Sequence, residues 1–126
     1  PVASEWITGA SLSYLQRASL AVMLWGTTVY EALALGTPTL TIARMAREAE
    51  DAARLEAATD GAVQSLGILA GLMRETLCDR IVALSEDVSQ WKRMHYASAM
   101  LFDGKGAERV AQAILGLSEG VLHGTA

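Results

Sequence analysis

Residues 20–43 read LAVMLWGTTVYEALALGTPTLTIA, and this stretch decides the fold. Residues 20–24 are a continuous apolar run, too short for a helix and followed by Gly-Thr-Thr, which predicts a strand buried on both faces. Thr27 or Thr28 is then placed to cap a helix, and Val29, Ala32 and Leu33 fall at helical spacing to give it an apolar stripe. Gly36 supplies a left-handed stop, and Thr37-Pro38 returns the chain to extended geometry. Leu40 and Ile42 continue into a second strand. A strand, helix, strand unit is nearly always a right-handed crossover between parallel strands. Its ligand end is the carboxyl edge of the strands, where Trp25, Gly26, Thr27 and Thr28 meet the helix N-terminus.

Upstream, residues 1–7 read as a short extended segment, and Gly9-Ala10-Ser11 as a turn ending in an N-cap for a helix over residues 12–18 that buries Leu12 and Leu15. Downstream, Met45, Ala49, Ala52 and Leu55 repeat at helical spacing, with Asp60-Gly61 ending that helix near Ala58. Residues 62–66 are a third, brief strand. After Gly67 and Gly71 comes a longer amphipathic helix carrying Met73, Leu77, Ile81 and Leu84 on one side, broken at Glu86 and Asp87. A further helix over residues 88–101 turns Trp91 and Met94 inward. The turn Asp103-Gly104-Lys105-Gly106 precedes a final helix with Ala107, Val110, Ala111 and Ile114 aligned. The expected architecture is a three-layer α/β domain over residues 1–117, with a short parallel Rossmann-like sheet and helices on both faces, and a frayed tail over residues 118–126.

With 126 residues, the chain suffices for one domain with a buried core. Its net charge is −4 and its ten basic residues are scattered, with no basic stripe interleaved with aromatics, which argues against a nucleic-acid partner. Cys78 is the only cysteine, so no internal disulfide or cysteine-based metal site is expected. It reads as a small apolar residue of a helix core in a reducing compartment. No apolar run reaches the roughly 20 residues of a spanning helix, and the N-terminus lacks the order of a signal peptide, so a cytoplasmic protein is expected. A chain beginning at Pro1 reads as a processed start or as a piece of something longer. Gly104-x-Gly106 lacks the third glycine and the preceding strand of a dinucleotide fingerprint. His95 and His123 are far apart and without metal spacing, so neither a metal site nor a catalytic residue is assigned.

With these elements laid out, GTTVYEALALGTPTLTIA resembles the signature of the C-terminal domain of GT-B nucleotide-sugar enzymes. The likeness is to the UDP-sugar hydrolases of pseudaminic acid synthesis and their spore-coat polysaccharide relatives, and more distantly to the N-acetylglucosaminyltransferase of peptidoglycan synthesis. It continues through residues 52–56, residues 61–67 and the turn over residues 103–109, covering most of the chain. The resemblance implies that Gly26 and the backbone of Thr27 and Thr28 meet the diphosphate of UDP or a UDP-sugar at the positive end of the helix, and that Glu31 accepts hydrogen bonds from the ribose hydroxyls. Read from the residues alone, Glu31 is equally a first-turn acid facing water, and the threonines are equally simple caps.

The departures from the family pattern have consequences of their own. Trp25 stands where relatives carry a second glycine, a position where a tryptophan would resist positive φ and lie across the approach of a phosphate. Arg47 and Glu48 fall where the hydrolases have an amide pair near the sugar. The family's hydrolytic mechanism also draws on a histidine of an N-terminal domain, for which this chain has no counterpart. The chain is therefore expected not to act alone as an enzyme. It is read as the nucleotide-sugar-binding part of a hydrolase or glycosyltransferase of cell-surface glycan synthesis, needing no further cofactor, or alternatively as a non-catalytic remnant acting in assembly. The strand over residues 20–24 has no predicted neighbour on one side, so a homo-oligomer or a separate chain supplying the other domain is the expected partner.

Overall fold

The computed structural model describes Ser4, Thr8, Gly9 and residues 12–123. Apart from Ser4, the extended segment expected over residues 1–7 lies outside the described residues, as does the Ser11 cap. The order of elements is α1 (Leu12–Arg17), β1 (Ala21–Leu24), α2 (Thr27–Ala34), β2 (Thr39–Ala43), α3 (Ala46–Ala58), β3 (Val63–Ile68), a 3₁₀ turn (Leu69–Gly71), α4 (Arg74–Glu86), α5 (Val88–Leu101) and α6 (Gly106–His123). The three strands form one parallel sheet in the order β1-β2-β3, with Ala21 opposite Thr39 and Thr39 opposite Val63. This is a small Rossmann-like α/β domain.

Helices cover both faces, as strand alternation shows. Val63 faces one way and joins Val29 and Leu33 of α2 and Ala62 in a buried cluster that also takes in Met23, Trp25 and Leu55. Leu40 belongs to the opposite set and packs with Leu84 of α4, Met94 of α5, Leu20, Leu66 and Ile81. α5 serves both layers, because its Ala97 and the following Phe102 reach the first cluster. β2, between two neighbours and two layers, is buried along its whole length. β1 is not: Val22 and Leu24 are 40% and 48% exposed. The expectation of a strand buried on both faces fails on one of them: Val22 and Leu24 share the face of Leu40, and the cluster that α4 and α5 form there takes in neither.

The chain's turns follow from a few residues. α2 ends in a Schellman arrangement, Gly36 N–H donating to Leu33 O and Thr37 N–H to Ala32 O, both at 2.9 Å, with Gly36 at φ +73° as a glycine there permits. Its N-cap is Gly26, not a threonine, and no side chain caps it. Thr27 and Thr28 already belong to the helix. β3 runs past the predicted end at Leu66 because a bulge carries it: Thr41 pairs with Ser65 but Ala43 pairs with Ile68, and Gly67 at φ +80° takes up the extra residue.

The apolar positions of the later helices are less buried than their periodicity suggests. Met45 and Met73 are exposed N-caps, Leu12 is exposed and Leu15 half-buried. Cys78 is exposed rather than core, because α4 turns Leu77, Ile81 and Leu84 toward the sheet and leaves its neighbour outside. Every α6 side chain described, through Leu117, is exposed, including Val110 and Ile114, and the helix continues to His123, beyond the expected boundary at Leu117. Among the described residues no helix is long and apolar enough to cross a membrane.

The turn into α6 is held by charge. Asp103 accepts from Lys105 N–H and from Arg109 Nη1, each at 3.0 Å, while Arg109 Nη2 meets its other oxygen. The Arg109 guanidinium, helped by the Lys105 amide, holds the Asp103 carboxyl well below the usual carboxylate range, at about 2. In Arg109→Ala that carboxyl is expected to rise toward its ordinary value of about 3.9 without reaching it, since the Lys105 amide remains, as read by NMR. A folded-state value below the unfolded one means that the bridge stabilises the turn above about pH 4 and that this contribution is lost as pH falls toward 2. An unchanged midpoint in Arg109→Ala would remove the guanidinium as the cause.

Candidate functional site

Where β1 ends, Trp25 N–H donates to Ile42 O at 2.8 Å, so the chain is still held to the sheet when it turns into α2. The turn opens a cleft of about 510 Å³. Trp25, Gly26, Thr27 and Tyr30 line it from the β1-α2 junction, and Asp51, Arg54 and Leu55 line it from α3. It therefore lies at the carboxyl edge of the strands, where parallel sheets hold ligands.

Gly26 is the informative residue of the wall. Its φ of 168° and ψ of −172° are extended geometry that any residue adopts, and a Cβ built there would meet nothing within 4 Å. Neither backbone strain nor packing calls for glycine. What its missing side chain does is leave the first turn of α2 open to the cleft, at the end where backbone N–H groups lack intrahelical partners and the helix dipole is positive.

Trp25 forms part of the wall without backbone strain, since among the described residues only Asp60 is a non-glycine with positive φ. Its half-buried ring packs on the cluster of Val29, Leu33, Ala62 and Val63 and stands edge-on to Tyr30, with centroids 6.1 Å apart. The strain expected at this position is absent, and the indole is both core and cleft wall.

No protein-family model, curated protein or solved structure matches the chain. The site is thus weighed on its own geometry. Of the predicted nucleotide-binding residues, Gly26 and Thr27 line the cleft, whereas Thr28 and Glu31 are exposed on α2 outside its wall. Arg47 and Glu48, predicted near the sugar, are not in the wall either. Glu48 is engaged elsewhere: its carboxylate accepts Arg44 N–H at 2.8 Å and Arg44 Nε at 3.2 Å, and these bonds hold it below the usual carboxylate range. This closes the first turn of α3 much as a capping box does.

Tyr30, Asp51, Arg54 and Leu55 are wall residues that the sequence reading left out. The signal in the sequence is the spacing of 51, 54 and 55, which sets them on one side of α3. Chemically the cleft offers backbone donors, a guanidinium, a carboxylate, a threonine hydroxyl and two aromatic rings. Among the described residues no group of His, Cys, Asp and Glu is placed to hold a metal. The assembled groups are suited to binding an anion attached to a planar ring.

Proposed function

We propose that the cleft holds the nucleotide of UDP or a UDP-sugar, and that the chain is the nucleotide-binding part of a hydrolase or glycosyltransferase of cell-surface glycan synthesis, acting in the cytoplasm. The observation that carries this reading is Gly26: a glycine required by neither φ nor packing, at the open end of a helix, in the wall of a cleft. It lets a diphosphate approach the Thr27 and Thr28 amides, and the hydroxyl of Thr27 adds a donor. Trp25 and Tyr30 supply apolar surface for a base or sugar. Glu31 enters this reading only as a residue reached by the ribose along α2, beyond the cleft wall. No side chain of the wall forms a nucleophile and base pair, so the reaction itself falls to groups of another domain or chain.

Thermal unfolding with and without UDP tests the proposal. A ligand that binds only the folded state raises the midpoint, by about 2.7 kcal/mol of stabilisation at a hundredfold excess over Kd. Gly26→Val fills the open position without a backbone penalty, so it is expected to fold normally and to lose the UDP shift. No shift in the native chain at millimolar UDP or UDP-N-acetylglucosamine would contradict the reading.

A second reading, assembly, is favoured by the outer edge of β1, where Val22 and Leu24 are exposed and no described strand pairs. Such an edge, without Pro or Lys, is a template for a strand of another copy or of a separate partner chain. A monomer by light scattering at tens of micromolar would remove the self-association form of this reading.

A further inference from the structure

Arg54 sits on the α3 wall of the cleft and faces the same space as Gly26 and Thr27. Its contacts are loose: Nη1 lies 3.6 Å from Asp51 Oδ1 and Nη2 lies 3.9 Å from Glu50 Oε2, both within its own helix. At these separations the pairs are ion pairs without a hydrogen bond. Among the described residues the side chains of Arg17, Arg47, Arg74 and Arg93 are likewise not hydrogen-bonded, and what sets Arg54 apart is that it is the arginine in the cleft wall. Three others are committed elsewhere. Arg44 is hydrogen-bonded to Glu48, Arg80 to Gln64 and Arg109 to Asp103. Arg54, whose side chain is 76% exposed, keeps its guanidinium donors uncommitted beside the cleft. Exposed intrahelical pairs of this kind are worth little, so diverting the guanidinium to a better acceptor costs little. A phosphate is such an acceptor, because it can take two parallel N–H bonds from the guanidinium fork.

We propose that Arg54 is the exchangeable counter-charge of the cleft, leaving Asp51 to clamp the phosphates of a nucleoside diphosphate, and that Asp51 opposes that binding. The proposal rests on reading the cleft as a nucleotide site. It adds two positioning residues of opposite sign and makes the diphosphate, rather than the nucleoside, the part recognised. Asp51 competes in two ways. It holds the guanidinium when the cleft is empty, and its own carboxylate lines the wall and repels an incoming anion.

Calorimetric titration of uridine, UMP and UDP into the native chain, Arg54→Gln and Asp51→Asn tests this, with circular dichroism to show that each variant is folded. Both positions are on the exterior of α3, so the fold should persist. Arg54→Gln is expected to weaken UDP at least tenfold and leave uridine unchanged, while Asp51→Asn tightens UDP three- to tenfold. If UDP binds the native chain and Arg54→Gln alike, or if Asp51→Asn weakens it, the assignment of these two residues is overturned while the nucleotide site stands. If neither UDP nor UMP binds the native chain, the nucleotide reading falls and the Arg54 clamp falls with it.

Discussion

Gly36→Ala is expected to destabilise the chain by about 2–4 kcal/mol, because among the described glycines it is the one where an added Cβ meets a neighbour. Two costs act together. The backbone at Gly36 has φ +73°, where a side chain costs roughly 1–2 kcal/mol. A Cβ there would also lie 3.0 Å from both Cε1 and Nδ1 of His95, so the imidazole would have to give way. That ring is well held. His95 Nδ1–H donates to Gly36 O at 2.7 Å, a carbonyl being only an acceptor, and the ring stacks on Trp91 at 5.3 Å between centroids. Moving it loosens a hydrogen bond of about 1 kcal/mol and a stack of about 0.5–1.5 kcal/mol. Urea unfolding checks the sum, and a His95→Ala background separates its parts. With the ring gone, Gly36→Ala should retain only its backbone cost. An undiminished effect in that background would show that the contact with His95 contributes nothing.

The second large effect concerns Trp25. Trp25→Ala is expected to cost about 2–4 kcal/mol, somewhat below the range for fully buried aromatics because the indole is half-buried. It should also weaken UDP rather than tighten it, since the ring is one side of the cleft. The opposite pair of results, near-native stability with tighter UDP binding, would mean that the indole merely obstructs the phosphate. The structure argues against obstruction, because the same ring packs on the α2 cluster and against Tyr30.

Much of this fold was legible wherever one residue settles a local question. Gly36 stops α2, Asp60 and Gly61 with positive φ stop α3, and Asp87 separates α4 from α5 by accepting Gln90 N–H at 2.9 Å. The right parallel pairing also followed from the strand, helix, strand order. What was not legible depends on distant parts of the chain. That β1 is an edge was expected, but the exposure of Val22 and Leu24 depends on where α4 and α5 settle over the Leu40 face, and no local pattern states that. Cys78 lies beside a helical stripe and only the packed orientation of α4 leaves it outside, while Met73, expected on the stripe, is exposed because it is the N-cap and precedes the helix. The bulge at Gly67 looks in sequence like the end of a strand.

The candidate site divides in the same way. Gly26 and Thr27 belong to a turn whose geometry is local, and the structure places both in the cleft wall. Asp51, Arg54 and Leu55 come from the next crossover, and their facing Gly26 is a consequence of α2 and α3 lying side by side on one face of the sheet. Glu48, an acid at a plausible ligand position, is hydrogen-bonded at the helix start to which it belongs.

The proposed site for a nucleoside diphosphate lies between the first turn of α2 and the middle of α3. Amide chemical-shift mapping of the isotopically labelled chain during a UDP titration tests this most directly. Saturable shifts are expected centred on Trp25, Gly26, Thr27, Thr28 and Tyr30, with a second group at Asp51, Arg54 and Leu55, and their loss is expected in Gly26→Val. Absence of shifts at millimolar UDP, or saturable shifts centred elsewhere, such as on the groove formed by Ser19, Leu84, Val88 and Trp91, would contradict it.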